Sequence, residues 1–296
     1  MRAWILVALA ACSGASRGGA TLALRPACEP VQYWDGTACK PRGNGAAKIA
    51  AGKDALVKQE VEQAKAALDE AAERGGPLDY ETNVTLWEQR GIALAFLEDQ
   101  KGAAAAFDML LALDPAHFLS YTKVRTEVTF IFEQVRNTTK ASGSPAVDVN
   151  WPSGQKVGDP VPLDIEVLAD PKRFLKRATV FVRARGETAW RAADVPVLAG
   201  NKGHLVLPGV QATAPTSLEL YLRAYDDRNN EVLVWADPAR PREIPLRYDP
   251  PPAWYRNWKL YAVGVPVAVV LTGAIVYALT LAPPDDVGGN ATLRRY

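Results

Sequence analysis

Side chains able to do covalent or acid–base chemistry are few in this chain: three cysteines and two histidines in 296 residues. Cys28 and Cys39 bracket the stretch "CEPVQYWDGTACK", whose Asp35-Gly36 pair is a turn signal, so these two thiols are expected to form a disulfide. Zinc is not expected there, because no histidine or further cysteine lies near enough in sequence to complete a four-ligand site. His117 follows an Asp114-Pro115 turn and His204 opens a strand-like run, and no G-x-S-x-G elbow offers a serine for either to activate. The stretch "GNGAAKIAAGKD" has the glycines of a phosphate loop without its pattern. Ala47 stands at the first required glycine before Gly52-Lys53, and Asp54 replaces the hydroxyl residue that would hold magnesium. Asp226, Asp227 and Glu231 bring hard oxygen ligands together, which suits either a calcium site or, more simply, a solvated turn. No catalytic residue, cofactor site or metal site is assigned, and a non-enzymatic protein is expected.

A formal net charge of +1 gives no electrostatic reason to expect a nucleic-acid partner. Two apolar stretches, one near each end, raise the hydrophobic fraction to 48%. Residues 3–11 are apolar, follow Arg2, and are too short to span a bilayer, which is the pattern of a secretory signal. Leu9-Ala10-Ala11-Cys12 is similar to the bacterial lipoprotein box, in which the thiol is acylated and becomes the new N-terminus. That resemblance implies lipidation of Cys12 and accounts for the odd cysteine. Ordinary cleavage before Ala11 and an uncleaved anchor are the alternatives. At the other end, "LYAVGVPVAVVLTGAIVYALTLA" (260–282) carries no charged residue and would be about 34 Å long as a helix. It is expected to be a transmembrane helix, with Trp254, Tyr255, Trp258 and Tyr261 as its interfacial belt. Export would place the body outside the cytoplasmic membrane and the tail 283–296 inside. Lipid and helix then share one membrane or, less simply, bridge two.

Between the ends, residues 46–140 have helical periodicity. Leu56, Val57, Val61, Ala64 and Leu68 recur at three- and four-residue spacing until Gly75-Gly76-Pro77. In "LWEQRGIALAFLEDQKGAAAAFDMLLALDP", Trp87, Gly91, Leu94, Ala103, Phe107 and Pro115 stand at offsets that resemble the tetratricopeptide repeat over Val84 to His117. The resemblance implies two antiparallel helices, with Gly91 and Ala103 small where they approach and Trp87 and Phe107 filling the space between them. Arg90 and Leu110 depart from the pattern. One full repeat is fewer than the three or so that a solenoid needs, so the preceding helix and "KVRTEVTFIFEQVR" would serve as degenerate neighbours and caps.

After Arg136 the polar "NTTKASGSP" marks a hinge, and about seven strand-like runs follow from "AVDVNW" to "EIPLRY". In "SLELYLRAYD" alternation puts Leu218, Leu220, Leu222 and Ala224 on the core face, with Glu219, Tyr221, Arg223 and Tyr225 opposite. Strand number and hairpin order resemble the immunoglobulin or fibronectin type III class of antiparallel β-sandwich. The order as a whole is similar to envelope proteins of myxobacterial type, which implies compartment and architecture but no activity. The expected chain is therefore a multi-domain α plus β protein. It comprises a signal peptide (1–11), a linker holding the disulfide (12–45), a small tetratricopeptide-like helical domain (46–140), an antiparallel β-sandwich (145–250), one transmembrane helix (260–282) and a short tail. The expected function is a membrane-anchored cell-envelope scaffold with a periplasmic body that binds other envelope proteins through its helical repeats. A cell-wall glycan module using Trp151, Trp190 or Trp235 is the alternative. No small-molecule substrate is expected.

Overall fold

Five helices follow one another from residue 45: α1 (Gly45–Val57), α2 (Val61–Arg74), α3 (Tyr80–Phe96), α4 (Gln100–Leu113) and α5 (Thr126–Thr139). The structure is a computed structural model and describes residues 23–120, 124–139, 143–195, 201–250 and 258–281. Asp79 and Asp99 cap α3 and α4, their carboxylates accepting from the Thr82 and Gly102 amides at 2.9 Å and supplying partners that a helix start lacks. The helices pair as two hairpins, α1 with α2 and α3 with α4. Each turn is made by one residue in the left-handed region, Gln59 at φ 64° and Glu98 at φ 61°.

The two hairpins use the same packing device. A Cβ on Gly52 would lie 2.7 Å from Leu68 Cγ, and one on Gly91 would lie 2.4 Å from Phe107 Cε1, so each glycine is the floor on which a large side chain rests. Gly52, Gln59, Ala64 and Leu68 recur 39 residues later as Gly91, Glu98, Ala103 and Phe107. The first hairpin therefore repeats the second. Its sequence hides this, because Lys48 and Gly76 stand where Trp87 and Pro115 stand in the second. Phe107 meets Phe132 of α5 edge-on at 5.3 Å, and both are fully buried with Leu110 in the helical core.

The sandwich is made of β4 (Ala146–Asn150), β5 (Val161–Ala169), β6 (Arg177–Ala184), β7 (Arg191–Val195), β8 (Lys202–Leu207), β9 (Thr216–Tyr225), β10 (Glu231–Trp235) and β11 (Arg242–Leu246). A three-stranded sheet, β4-β5-β8, shares one core with a larger sheet running β7-β6-β9-β10, to which β11 adds along β9. All these strand pairs are antiparallel. Leu218, Leu220, Leu222 and Ala224 lie in that core. Strand β7, "RAADV", has no strand-like pattern in its sequence, because alanine and aspartate carry little β-propensity. Its place is set by pairing with β6, Phe181 opposite Ala192.

Residues 25–41, expected to be linker, instead pack on the sandwich. Strand β1 (Arg25–Pro26) extends the large sheet beyond β7, and β2 (Gln32–Trp34) pairs with β3 (Cys39–Pro41) as a small hairpin. Cys28 and Cys39 are joined by a disulfide with Cα atoms 5.6 Å apart. Asp35 accepts from the Thr37 and Ala38 amides and from Lys40, whose ammonium holds its carboxyl well below the usual range. The segment is tied to the outer sheet face by Arg25 to Asp194 at 3.0 Å and by Arg177 Nη2 donating to the Trp34 carbonyl at 3.1 Å. Tyr221 and Tyr225 point away from the core, yet they are only 7% and 8% exposed.

The remaining unit runs from Asp249 to Tyr296 and contains α6 (Trp258–Leu281). Here the transmembrane helix expected over 260–282 is corrected: among the described residues no helix is long and apolar enough to cross a membrane. The fold class is thus α plus β, with six helices and antiparallel sheets among the described residues. Cys12 and the signal-like stretch, the residues Trp254 and Tyr255 and the tail 283–296 lie outside the described residues.

Candidate functional site

Strand β10 joins the helices to the sandwich by ordinary alternation. Val232 is buried in the helical core and Leu233, next to it, in the sandwich core. Hydrogen bonds seal the junction: Glu231 N to Leu78 O at 2.9 Å, Leu78 N to Asn230 Oδ1 at 2.9 Å, and Asn83 Nδ2 to Glu231 O at 3.1 Å. The Glu231 carboxylate, 4% exposed by residue, receives Arg42 on one oxygen and Arg223 on the other, each at 2.6 Å. Burial alone would lower the Arg223 pKa, and the Glu231 carboxylate beside it more than offsets this, leaving it raised.

Beside this sealed cluster a cleft of about 930 Å³ opens between the end of α2, the α3–α4 hairpin and two sandwich turns. The β5–β6 turn is shaped by Asp170, whose carboxylate accepts from the Phe174 and Leu175 amides at 2.8 and 2.9 Å. Arg173 adopts φ 55° there, a left-handed conformation that side chains other than glycine rarely take. The turn brings Lys172, Arg173, Phe174 and Lys176 to the cleft. The β9–β10 turn is held by Asp226, which accepts from the Arg228 amide and from the Asn230 amide and side chain, all at 2.8 Å. Burial pushes the Asp226 carboxyl up, although these donors pull the other way.

Six cations and three acids line the cleft, an excess of three positive charges in a chain whose net charge is +1. Arg90 donates to Asp69 at 2.8 Å, which joins α3 to α2 and accounts for arginine at this departure from the repeat pattern. Lys172 pairs with Asp108, and Arg228 donates to the Ala72 carbonyl at 2.8 Å. Arg74, Arg173 and Lys176, all exposed, have no anionic partner among the described residues. Between the cations lies apolar surface from Phe174, Met109 and Trp87, whose indole N–H donates to Asn83 Oδ1 at 3.0 Å. Unpaired cations beside half-buried aromatic surface suit non-covalent recognition of an anionic, partly apolar ligand.

The residues singled out from sequence separate in space. Gly91, Ala103 and Phe107 meet inside the α3–α4 hairpin, Trp87 reaches the cleft, and Pro115 follows α4 beside the start of β4. His117 sits against Phe132 with Nδ1 3.3 Å from Asp114 and Nε2 3.5 Å from Glu88. His204 faces Asp164 across β8 and β5 at 2.8 Å. The calcium reading does not hold, since Glu231 turns to Arg42 and Arg223 while Asp226 folds its own turn, and among the described residues no trio of ligating side chains converges. Trp151 and Trp235 pack against the sandwich core. Trp190 meets Tyr221 edge-on at 4.7 Å, with Arg183 lying 4.2 Å above its ring. The cations of the cleft were missed in the sequence because they come from four separated segments.

No protein-family model matches the chain, and no curated protein matches it. Among solved structures, the chain is similar to the FN1-FN3 domains of chicken CNTN1, with 12% identity and a TM-score of 0.25 over 35% of this chain and 30% of that one. It is also similar to the CARDB domain of a Pyrococcus furiosus protein in complex with di-metal ions, with 13% identity and a TM-score of 0.24 over 36% of this chain and 89% of that one. The chain thus spans about a third of the first of these and most of the second. Both neighbours are β-sandwich domains.

Proposed function

We propose that this protein is a non-enzymatic scaffold of the bacterial cell envelope and that a partner protein docks in the cleft between its helical hairpins and its sandwich. The observation that carries the reading is the set of three exposed cations without counter-ions among the described residues, Arg74, Arg173 and Lys176, beside Trp87, Phe174 and Met109. Two hairpins built on the same glycine-and-large-residue pair support a tetratricopeptide-like helical part, a class of element that offers faces to protein partners. Export to an oxidising compartment is supported by the Cys28–Cys39 disulfide and by the signal-like stretch at 3–11.

A photo-activatable cross-linking residue in place of Met109, in the full chain within its native cells, tests the docking site. The same residue in place of Val57, which is 80% exposed and lies outside the cleft, is the control. A discrete protein adduct is expected from position 109 and not from 57. Adducts of equal yield at both positions, or none at 109, would remove the cleft as a docking site.

A further inference from the structure

The charge and the apolar surface of the cleft together restrict what can occupy it. We infer that the partner's docking segment is acidic and also carries apolar side chains; this rests on the cleft being the protein-docking site. Arg74 stands at the end of α2, while Arg173 and Lys176 stand on the β5–β6 turn, so positive charge faces the cleft from both the helical and the sandwich wall. Carboxylates inserted between them would gain charge-assisted hydrogen bonds, and the concave, partly apolar walls would concentrate the field that draws them in. Arg90 and Lys172 are already engaged by Asp69 and Asp108, and Arg228 by the Ala72 carbonyl, so the charge open to a ligand is that of Arg74, Arg173 and Lys176.

A uniformly charged polymer such as polyphosphate fits less well. Asp226, Asp227 and Glu73 stand on the same walls and would repel it, and it would leave the surface of Trp87, Phe174 and Met109 uncovered. A polypeptide satisfies both kinds of surface, because carboxylates and apolar side chains can alternate along it. Its backbone N–H groups can also face the lining carboxylates. Specificity would then come from the spacing of acids around an apolar anchor.

The experiment is a selection of random twelve-residue displayed peptides on the full chain, with recovered peptides remeasured by fluorescence anisotropy. Recovered peptides are expected to be rich in Asp and Glu and to carry at least one aromatic or large aliphatic residue. Their Kd should rise steeply with salt, and it should rise about tenfold or more when Arg74, Arg173 and Lys176 are all changed to Gln, with the unfolding midpoint unchanged. Peptides that cross-link to a photo-reactive residue at 109 but show no acidic bias and no salt response would overturn the acidic inference and leave the docking site standing. Polyphosphate that displaces them at lower charge concentration would overturn it in favour of an anionic polymer. Peptides that bind but do not cross-link at 109 would overturn both.

Discussion

Two clusters of cations lie beside the β9–β10 hairpin, and they are built oppositely. At Glu231 two guanidinium groups close on one buried carboxylate. In the neighbouring cleft three cations stay exposed with no counter-ion among the described residues. Burying a charge is costly unless it is paired and hydrogen-bonded, so the first arrangement exists only as a complete set, and its role is to fasten the helices, the sandwich and the N-terminal segment together. Exposed cations pay little desolvation and contribute little to stability. The second set is therefore not needed to hold the fold, which leaves it available for the docking proposed above.

Breaking the closed cluster should have the largest effect. Glu231→Gln leaves Arg42 and Arg223 without their anion and is expected to lower unfolding free energy by about 3 to 5 kcal/mol in chemical denaturation. A loss below about 1 kcal/mol would mean that the cluster does not hold the junction. Untying the segment that carries Arg42 comes next. Replacing both Cys28 and Cys39 by Ser opens a short loop and should cost about 2 to 3 kcal/mol, read as the shift in denaturation midpoint at constant slope.

His117 is an intermediate case, a cation whose pairing depends on pH. The Glu88 carboxylate 3.5 Å from Nε2, helped by Asp114 and opposed by burial, raises its pKa above the ordinary value. The stabilisation is then fully present below about pH 6.5 and lost as pH rises through the folded-state value. Unfolding free energies of the unaltered protein and His117→Gln should thus differ by about 1 kcal/mol near pH 6 and converge in mild alkali. A gap that widens with pH would refute the assignment. The smallest effect on stability belongs to the open cluster. Arg74→Glu with Arg173→Glu should leave unfolding free energy within about 0.5 kcal/mol of the original.

How much of this could be read from the sequence depended on the distance between the parts. The core face of β9 was visible because its period of two lies within ten residues, as was the turn between the paired cysteines. The burial of Tyr221 and Tyr225 on the other face was not, because the groups that cover them, Phe181 and Trp190 on Tyr221 and Arg177 on Tyr225, come from segments about 30 to 50 residues away that meet them only in the folded sheet. The α3–α4 hairpin showed through Trp87 and Pro115, whereas α1–α2 repeats its geometry on Gly52 and Leu68 without those markers. The cleft was hidden most completely. Arg74, Arg90, the 172–176 turn and Arg228 converge only in the fold, and a net charge of +1 conceals them.

The most direct measurement is the cross-linking yield at position 109 in the Arg74→Glu/Arg173→Glu background, taken alongside the unfolding curve of the same protein. The protein adduct should be lost while the midpoint stays where it was. An adduct that survives the charge reversal, or one lost only because the protein has become less stable, would contradict the division between a cluster that holds and a cluster that binds.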